Sequence, residues 1–209
     1  MTYKPAVDHK DNHRQSEGER RSLLSLAATA LIVGAATGCV GAIFRLLLVH
    51  ADRLRDTMIT WAHGHAIGGF LIVVGACAVA TLIAAWMVRQ FSPHASGSGI
   101  PHVKAVLREQ IRPAPFALVP VKFLGGLLAI GSGLALGREG PTVQMGAGIA
   151  VSVARLCRLC SADARVLLAA GAGAGLATAF NAPIAGLVFV LKELVERFDH
   201  RIAVATEWQ

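Results

Sequence analysis

Two long stretches of the chain, residues 23–44 and 67–88, carry no charged side chain. A helix needs about 20 consecutive apolar residues to cross the hydrocarbon core of a bilayer, and each stretch meets that length. Trp86 and Arg89 mark the exit of the second stretch into an interface. Core helices of a soluble protein are the alternative, but they would need a much larger soluble body. The pattern therefore predicts two membrane-spanning helices, separated by a polar loop at residues 52–65.

Beyond residue 91 the apolar stretches are shorter, and glycine, proline and single charges interrupt them. Irregular backbone at membrane depth is tolerated only where it lines a cavity or is buried in protein. Short, interrupted segments of this kind indicate the substrate site of a transporter. We predict an all-α, multi-pass membrane protein whose two full spans are followed by about five or six short helices, at residues 102–110, 116–136, 141–154, 166–180 and 184–191.

Composition agrees with a membrane protein. Hydrophobic residues make up 54% of the chain and charged residues only 16%, whereas soluble domains carry about 25% charged residues. The net charge of +7 is spread over a leader and the ends of apolar stretches, so it sets topology and predicts no nucleic-acid partner. Residues 1–21 have no apolar core, and we expect a disordered cytoplasmic leader before a transmembrane domain at residues 22–209.

Enzyme chemistry has little support in the sequence. Cys157 and Cys160 have metal-type spacing, but no second pair or nearby histidine completes a site, so two thiols near a helix end are the preferred interpretation. The glycine-rich residues 171–176 imitate a dinucleotide loop, but no strand precedes them and no acid follows at the required distance. No nucleophile has an evident base. We expect no enzyme activity, no metal and no cofactor.

Residues 97–101, Gly-Ser-Gly-Ile-Pro, have the composition of a helix start that approaches an ion. Pro101 suits the first turn of a helix, and Ser98 offers a hydroxyl donor and a cap for that helix. A helix amino terminus carries unpaired amide donors and a positive partial charge. The segment therefore predicts an anion site that binds weakly enough for fast transport. An ordinary capped turn is the alternative from this motif alone.

Residues 137–141, Gly-Arg-Glu-Gly-Pro, place an acid at a second helix start between two apolar stretches. The helix dipole stabilises the charge of Glu139, which can compete with a transported anion for one site. An ionisable group inside a membrane indicates function by default. The alternative is that Glu139 caps the helix or pairs with Arg138, although adjacent helical residues point in different directions.

Two further candidates lie later in the chain. Small residues at 171–186 favour close helix packing, and Phe180, just before the break at residues 181–183, is a candidate pore-lining residue. A kinked, packed helix explains this pattern nearly as well. Glu193 ends the last apolar stretch; alone it is a solvated helix end, but with Glu139 it is a candidate second stop on a proton path.

Together, Gly-Ser-Gly-Ile-Pro, Gly-Arg-Glu-Gly-Pro and Phe-Asn-Ala-Pro-Ile-Ala-Gly resemble the CLC family of chloride channels and proton-coupled chloride transporters, in family order and spacing over residues 23–195. The bacterial exchangers are the most similar branch. The resemblance implies a homodimer in the bacterial inner membrane, and each subunit has two inverted halves with broken, tilted helices around its own pore. It implies transport of chloride and H⁺.

The resemblance also assigns roles to residues. Glu139 is the gate, and Glu193 is the internal proton-transfer glutamate, which favours exchange because many channels carry valine there. Ser98 contacts the central chloride through its hydroxyl. The chloride-binding set is Ser98, Gly99, Ile100, Arg138 and Gly140.

Several features depart from close bacterial relatives. Lys192 stands where they have a second acid, and His102 and Lys104 replace acids, so Lys122 loses its expected ion partner. The second half of the family fold, with a Gly-x-Phe-x-Pro motif and a pore tyrosine, is not among these 209 residues. We expect Cl⁻/H⁺ antiport that needs a carboxy-terminal half. A passive, voltage-gated chloride channel and a non-transporting truncated fragment remain the alternatives.

Overall fold

The computed structural model describes the backbone of residues 9–192 and the side chains of residues 23–192 except Ala66. This part of the chain is helical and has no strand, which confirms the all-α prediction. A 3-10 turn, Pro93–Ala95, precedes the third helix. The helices are α1 His9–His63, α2 Ala66–Phe91, α3 Ile100–Leu107, α4 Leu118–Gly131, α5 Glu139–Leu156, α6 Ser161–Phe180 and α7 Pro183–Lys192.

Two helical segments are long and apolar enough to cross a membrane, Leu23–His63 in α1 and Ile67–Phe91 in α2. Only 28% of the most apolar window of the first segment and 6% of that of the second is buried against protein. The core helix of a soluble protein would be largely buried, so these apolar surfaces need lipid to cover them. The two predicted spans are confirmed.

Helix α1 is longer than the sequence pattern suggested, and two predictions about it are wrong. It begins at His9, inside the leader that we expected to be disordered, and it continues through residues 52–63, which we expected to be a loop. No glycine or proline stands between residues 52 and 63 to stop the helix. The Thr57 and Thr60 hydroxyls donate to carbonyls one turn back, each at 2.8 Å. Polar side chains are therefore satisfied within the helix, which ends before Gly64.

Helices α5 and α6 share the most extensive contact among α1 to α6, and glycines face each other across it. A Cβ at Gly171 would lie 2.5 Å from the Gly146 carbonyl oxygen, and one at Gly175 would lie 2.7 Å from the Thr142 carbonyl carbon. Small residues allow such backbone contact between membrane helices. The packing role predicted for the glycine-rich stretch is confirmed, and it fixes α5, which carries Glu139 at its start.

The break between α6 and α7 lies where Asn-Ala-Pro predicted it. Asn181 takes the left-handed conformation, with φ 54°, and closes α6. Pro183 then opens α7, which folds back so that Gly186 packs against Gly173. At the other end of α6, the Cys160 sulfur accepts a hydrogen bond from the Asp163 amide at 3.5 Å, so this thiol acts as a helix cap. The interpretation of the cysteine pair as thiols near a helix end is confirmed.

Gly146→Ala should destabilise the protein by about 1–3 kcal/mol, because the new Cβ would lie 2.8 Å from Thr37 Cγ2 and would also overlap the Gly171 carbonyl. Gly75→Ala in α2 is the matched control, since its Cβ would meet nothing within 4 Å. Thermal unfolding in detergent, followed by tryptophan fluorescence, measures both variants. Equal midpoints for the two variants would contradict the packing argument.

Candidate functional site

Two helix starts meet at the centre of the candidate site, because the loop before α3 lies against the first turn of α5. A Cβ added at Gly140 would collide with the Ser98 carbonyl and would lie 3.0 Å from the Ser98 hydroxyl oxygen. Gly140 is buried, while Ser98 keeps an exposed surface. The structure therefore brings together the two segments that the sequence analysis treated separately.

Glu139 is the first residue of α5, which begins two residues before the predicted start at Pro141. Its carboxylate turns back over its own loop, since a Cβ at Gly137 would lie 3.2 Å from the Glu139 carboxyl carbon. No ion pair joins Glu139 to Arg138, although both residues lie in the described part of the chain. Thr142 donates to the Glu139 carbonyl at 2.9 Å and to the Arg138 carbonyl at 3.0 Å. The main chain of the first turn is therefore held, while the carboxylate has no cationic partner among residues 23–192.

Lys122 of α4 holds the loop that carries Ser98. Its side chain is buried, and its ammonium donates to the Ala95 carbonyl at 2.8 Å and to the Gly97 carbonyl at 2.7 Å. We expected this lysine to lose its ion partner because His102 and Lys104 replace acids. Backbone carbonyls accept its hydrogen bonds, and the ammonium satisfies two acceptors that would otherwise lack a donor in an apolar environment.

Gln144 of α5 holds the same loop by a further hydrogen bond. Its side chain is fully buried, and Nε2 donates to the His94 carbonyl at 2.8 Å. The Gln144 side chain also packs on Gly99, where an added Cβ would lie 2.6 Å from Oε1. Gly99 has φ 84°, a conformation that favours glycine, so both its backbone geometry and its close contact require this residue.

The sequence analysis missed Gln144 and misread one role of Ser98. Gln144 was missed because a single amide in an apolar stretch is most simply interpreted as a buried polar residue. Ser98 does not cap α3: Gly99 occupies the capping position, and no side chain bonds there. The left-handed conformation of Gly99 turns the Ser98 hydroxyl toward Gly140 instead of toward the α3 amides.

The remaining predicted residues lie apart from this contact or cannot be described. Phe180 ends α6 with 56% of its surface exposed and makes no aromatic contact in the described chain, so its pore-lining role stays a prediction. Ile100 begins α3 and is half-buried, and Arg138 is exposed beside Glu139. Glu193 lies outside the described residues.

These observations define a class of protein. Two apolar helices, α1 and α2, leave most of their surface uncovered by protein, and two helix starts bring Ser98 against Gly140, the residue after Glu139. Broken helices, with irregular backbone buried between spans, are characteristic of membrane transport proteins.

Comparison with known proteins makes the class specific. Residues 80–206 match the model of the voltage gated chloride channel family, Voltage_CLC. The H(+)/Cl(-) exchange transporter ClcA of Citrobacter koseri is 40% identical over 181 residues, which is 86% of this chain and 38% of the relative. The ClcA of Salmonella paratyphi B is 36% identical over 195 residues, 92% of this chain and 41% of the relative. The chain belongs to the voltage gated chloride channel (CLC) family and spans about two fifths of these relatives' length.

Solved structures agree with the sequence comparisons. A slow cyanobacterial Cl-/H+ antiporter is 34% identical with a TM-score of 0.75, over 79% of this chain and 39% of that structure. A CLC-type fluoride/proton antiporter is 26% identical with a TM-score of 0.67, over 81% and 40%. A eukaryotic CLC transporter is 28% identical with a TM-score of 0.71, over 82% and 34%. The predicted CLC-type fold is confirmed.

Lys122→Met should loosen the loop at residues 93–99, because the Ala95 and Gly97 carbonyls would lose a charged donor at a cost of about 3 kcal/mol. Hydrogen exchange of the amides in that loop should become faster, while exchange in the α5–α6 interface changes little. Arg89→Met, at the exposed end of α2, removes the same charge and is the control. Unchanged exchange in the Lys122 variant would show that the two hydrogen bonds do not hold the loop.

Proposed function

We propose that this chain forms part of a proton-coupled chloride antiporter in the bacterial inner membrane. Glu139 is the gate, and Glu193 is the internal proton-transfer residue. The observation that carries the proposal is the contact between Ser98 and the Gly140 backbone beside Glu139. A hydroxyl donor, the start of α5 and a carboxylate then serve one small volume, in which an anion and the carboxylate compete.

The chemistry of the site supports an anion rather than a cation as cargo. The helix start of α5 presents amide donors and a positive partial charge, and the Ser98 hydroxyl adds a donor. A deprotonated Glu139 occupies the same electrostatic minimum as an anion, whereas a protonated one vacates it. Each exchange of positions therefore couples a proton to an anion, which is the physical basis of antiport.

The relatives support the same assignment. The ClcA proteins are named H(+)/Cl(-) exchange transporters, and the cyanobacterial structure is a Cl-/H+ antiporter. One structural neighbour is a fluoride/proton antiporter, so chloride as the preferred anion is part of the proposal. We further propose that the functional unit is a homodimer in which a carboxy-terminal half completes each pore.

Glu139→Gln should abolish proton coupling while leaving anion flux, because an amide matches the protonated side chain and cannot carry the proton. Liposomes that contain the purified protein, alone and together with a carboxy-terminal half supplied from a family exchanger, are given a chloride gradient. Proton movement is read with a pH-sensitive dye and chloride movement with an electrode. We expect uphill proton movement with the wild-type chain and none with the variant.

Asp163→Asn is the matched control, since this acid lies in the first turn of α6 and not at the Ser98–Gly140 contact. Chloride flux without proton coupling in the wild-type chain would favour a passive channel. No flux with either preparation would favour a non-transporting chain. Coupling that persists in Glu139→Gln would remove Glu139 from the gate role.

A further inference from the structure

A cavity of about 580 Å³ lies at the other end of α5 from Glu139, where α3 and α5 end and α6 begins. None of the proposed chloride-binding residues lines it. Its wall combines apolar side chains, such as Ile111 and Leu159, with charged side chains. This mixture of aliphatic and ionic surface fits a ligand that is itself amphipathic.

The charges in the wall are strongly unbalanced. Four arginines line the cavity against one glutamate, a formal excess of three positive charges: Arg112, Arg155, Arg158 and Arg165 against Glu109. Glu109 pairs with Arg165, and Arg155 donates to the Pro113 carbonyl at 3.3 Å. The side chains of Arg112 and Arg158 make no hydrogen bond or ion pair with any described residue. Guanidinium groups bind phosphate oxygens in a planar, two-bond geometry, which makes phosphate their natural partner.

The backbone around the cavity is unusual at two points. Glu109 lies two residues after the end of α3 with φ 60°, and Arg158 lies two residues after the end of α5 with φ 50°. Left-handed helix ends are normally glycine or asparagine, because a Cβ makes this conformation cost about 1–2 kcal/mol. Of the three non-glycine residues with positive φ in the described chain, two therefore line this one cavity and present charged side chains to it. Such strain is typical of functional sites.

The cavity lies at one end of the membrane-spanning helices. Ala154 at the end of α5 and Leu167 near the start of α6 pack with Val33, midway along the uncharged stretch of α1. The basic leader precedes α1, and four arginines line the cavity itself. An excess of Lys and Arg marks the cytoplasmic side of a membrane protein. The arginines of its wall therefore favour a cavity on the cytoplasmic side, where lipid headgroups can reach it.

We propose that this cavity binds the phosphate group of an anionic phospholipid, with Arg112 and Arg158 bonding the phosphate oxygens and the apolar wall receiving the upper acyl chains. Basic pockets between membrane helices on the cytoplasmic side bind lipid headgroups in this way. The site is independent of the proposed transport activity. A bound lipid would join the ends of α3, α5 and α6 and stabilise the helix pair that carries Glu139.

The test uses the full chain in neutral detergent. Dioleoyl phosphatidylglycerol, dioleoyl phosphatidylcholine and inorganic phosphate are titrated separately, and thermal unfolding and native mass spectrometry record stability and retained lipid. We expect saturable binding of phosphatidylglycerol and not of phosphatidylcholine. Arg112→Gln combined with Arg158→Gln should raise the dissociation constant about 30-fold at low salt, since each basic residue near a lipid surface contributes about a fivefold factor.

The matched control combines Arg53→Gln with Arg89→Gln, which removes two exposed arginines outside the cavity and should leave phosphatidylglycerol binding unchanged. Inorganic phosphate at millimolar concentration could instead give saturable stabilisation with the same dependence on Arg112 and Arg158. That result would identify a soluble phosphate ligand, so the phosphate site would stand and the lipid proposal would be overturned. Equal affinity of the wild-type and cavity variants for phosphatidylglycerol, without phosphate binding, would overturn the proposal.

Discussion

Ser98 lies against the α-carbon of Gly140, and no residue larger than glycine leaves room for the Ser98 carbonyl there. This contact sets the distance between the loop before α3 and the start of α5. Ser98 lies beside the residue that follows Glu139 only because the two backbones touch. The glycine contacts between α5 and α6 act on this site indirectly. They fix the axis of α5, whose first turn bears the Glu139 carboxylate.

The irregular loop beside that contact has backbone carbonyls that need hydrogen-bond donors, and neighbouring helices supply them. Inside a membrane, a carbonyl without a donor costs several kcal/mol, so a non-helical segment must find donors in neighbouring helices. Lys122 from α4 and Gln144 from α5 together supply donors to the carbonyls of His94, Ala95 and Gly97. The loop can therefore be both irregular and fixed, and its rigidity depends on polar side chains of α4 and α5.

Much of the architecture followed from the sequence, because hydropathy, proline and glycine act locally. Short sequence segments were enough to predict the two spans, the helix start beside Glu139 and the break at Asn181. The long extent of α1 was not, because polar residues at its ends resemble loop residues until their side chains are seen to bond to their own helix. The hydrogen bond from Gln144 to the His94 carbonyl could not be predicted either, since it joins residues 50 positions apart and depends on tertiary packing.

The partners of Lys122 have a consequence for ions that approach the site. Neutral carbonyl dipoles satisfy the hydrogen-bonding capacity of an ammonium without cancelling its charge, and no carboxylate of the described residues pairs with it. A charge left uncompensated in this way acts over distance. Its interaction energy with a second unit charge is about 4 kcal/mol at 4 Å for an effective dielectric constant of 20, and this energy declines as the inverse of the separation. The loop of Ser98 therefore lies in the positive potential of Lys122, which in the proposed transport role would attract anions before any hydrogen bond to them has formed.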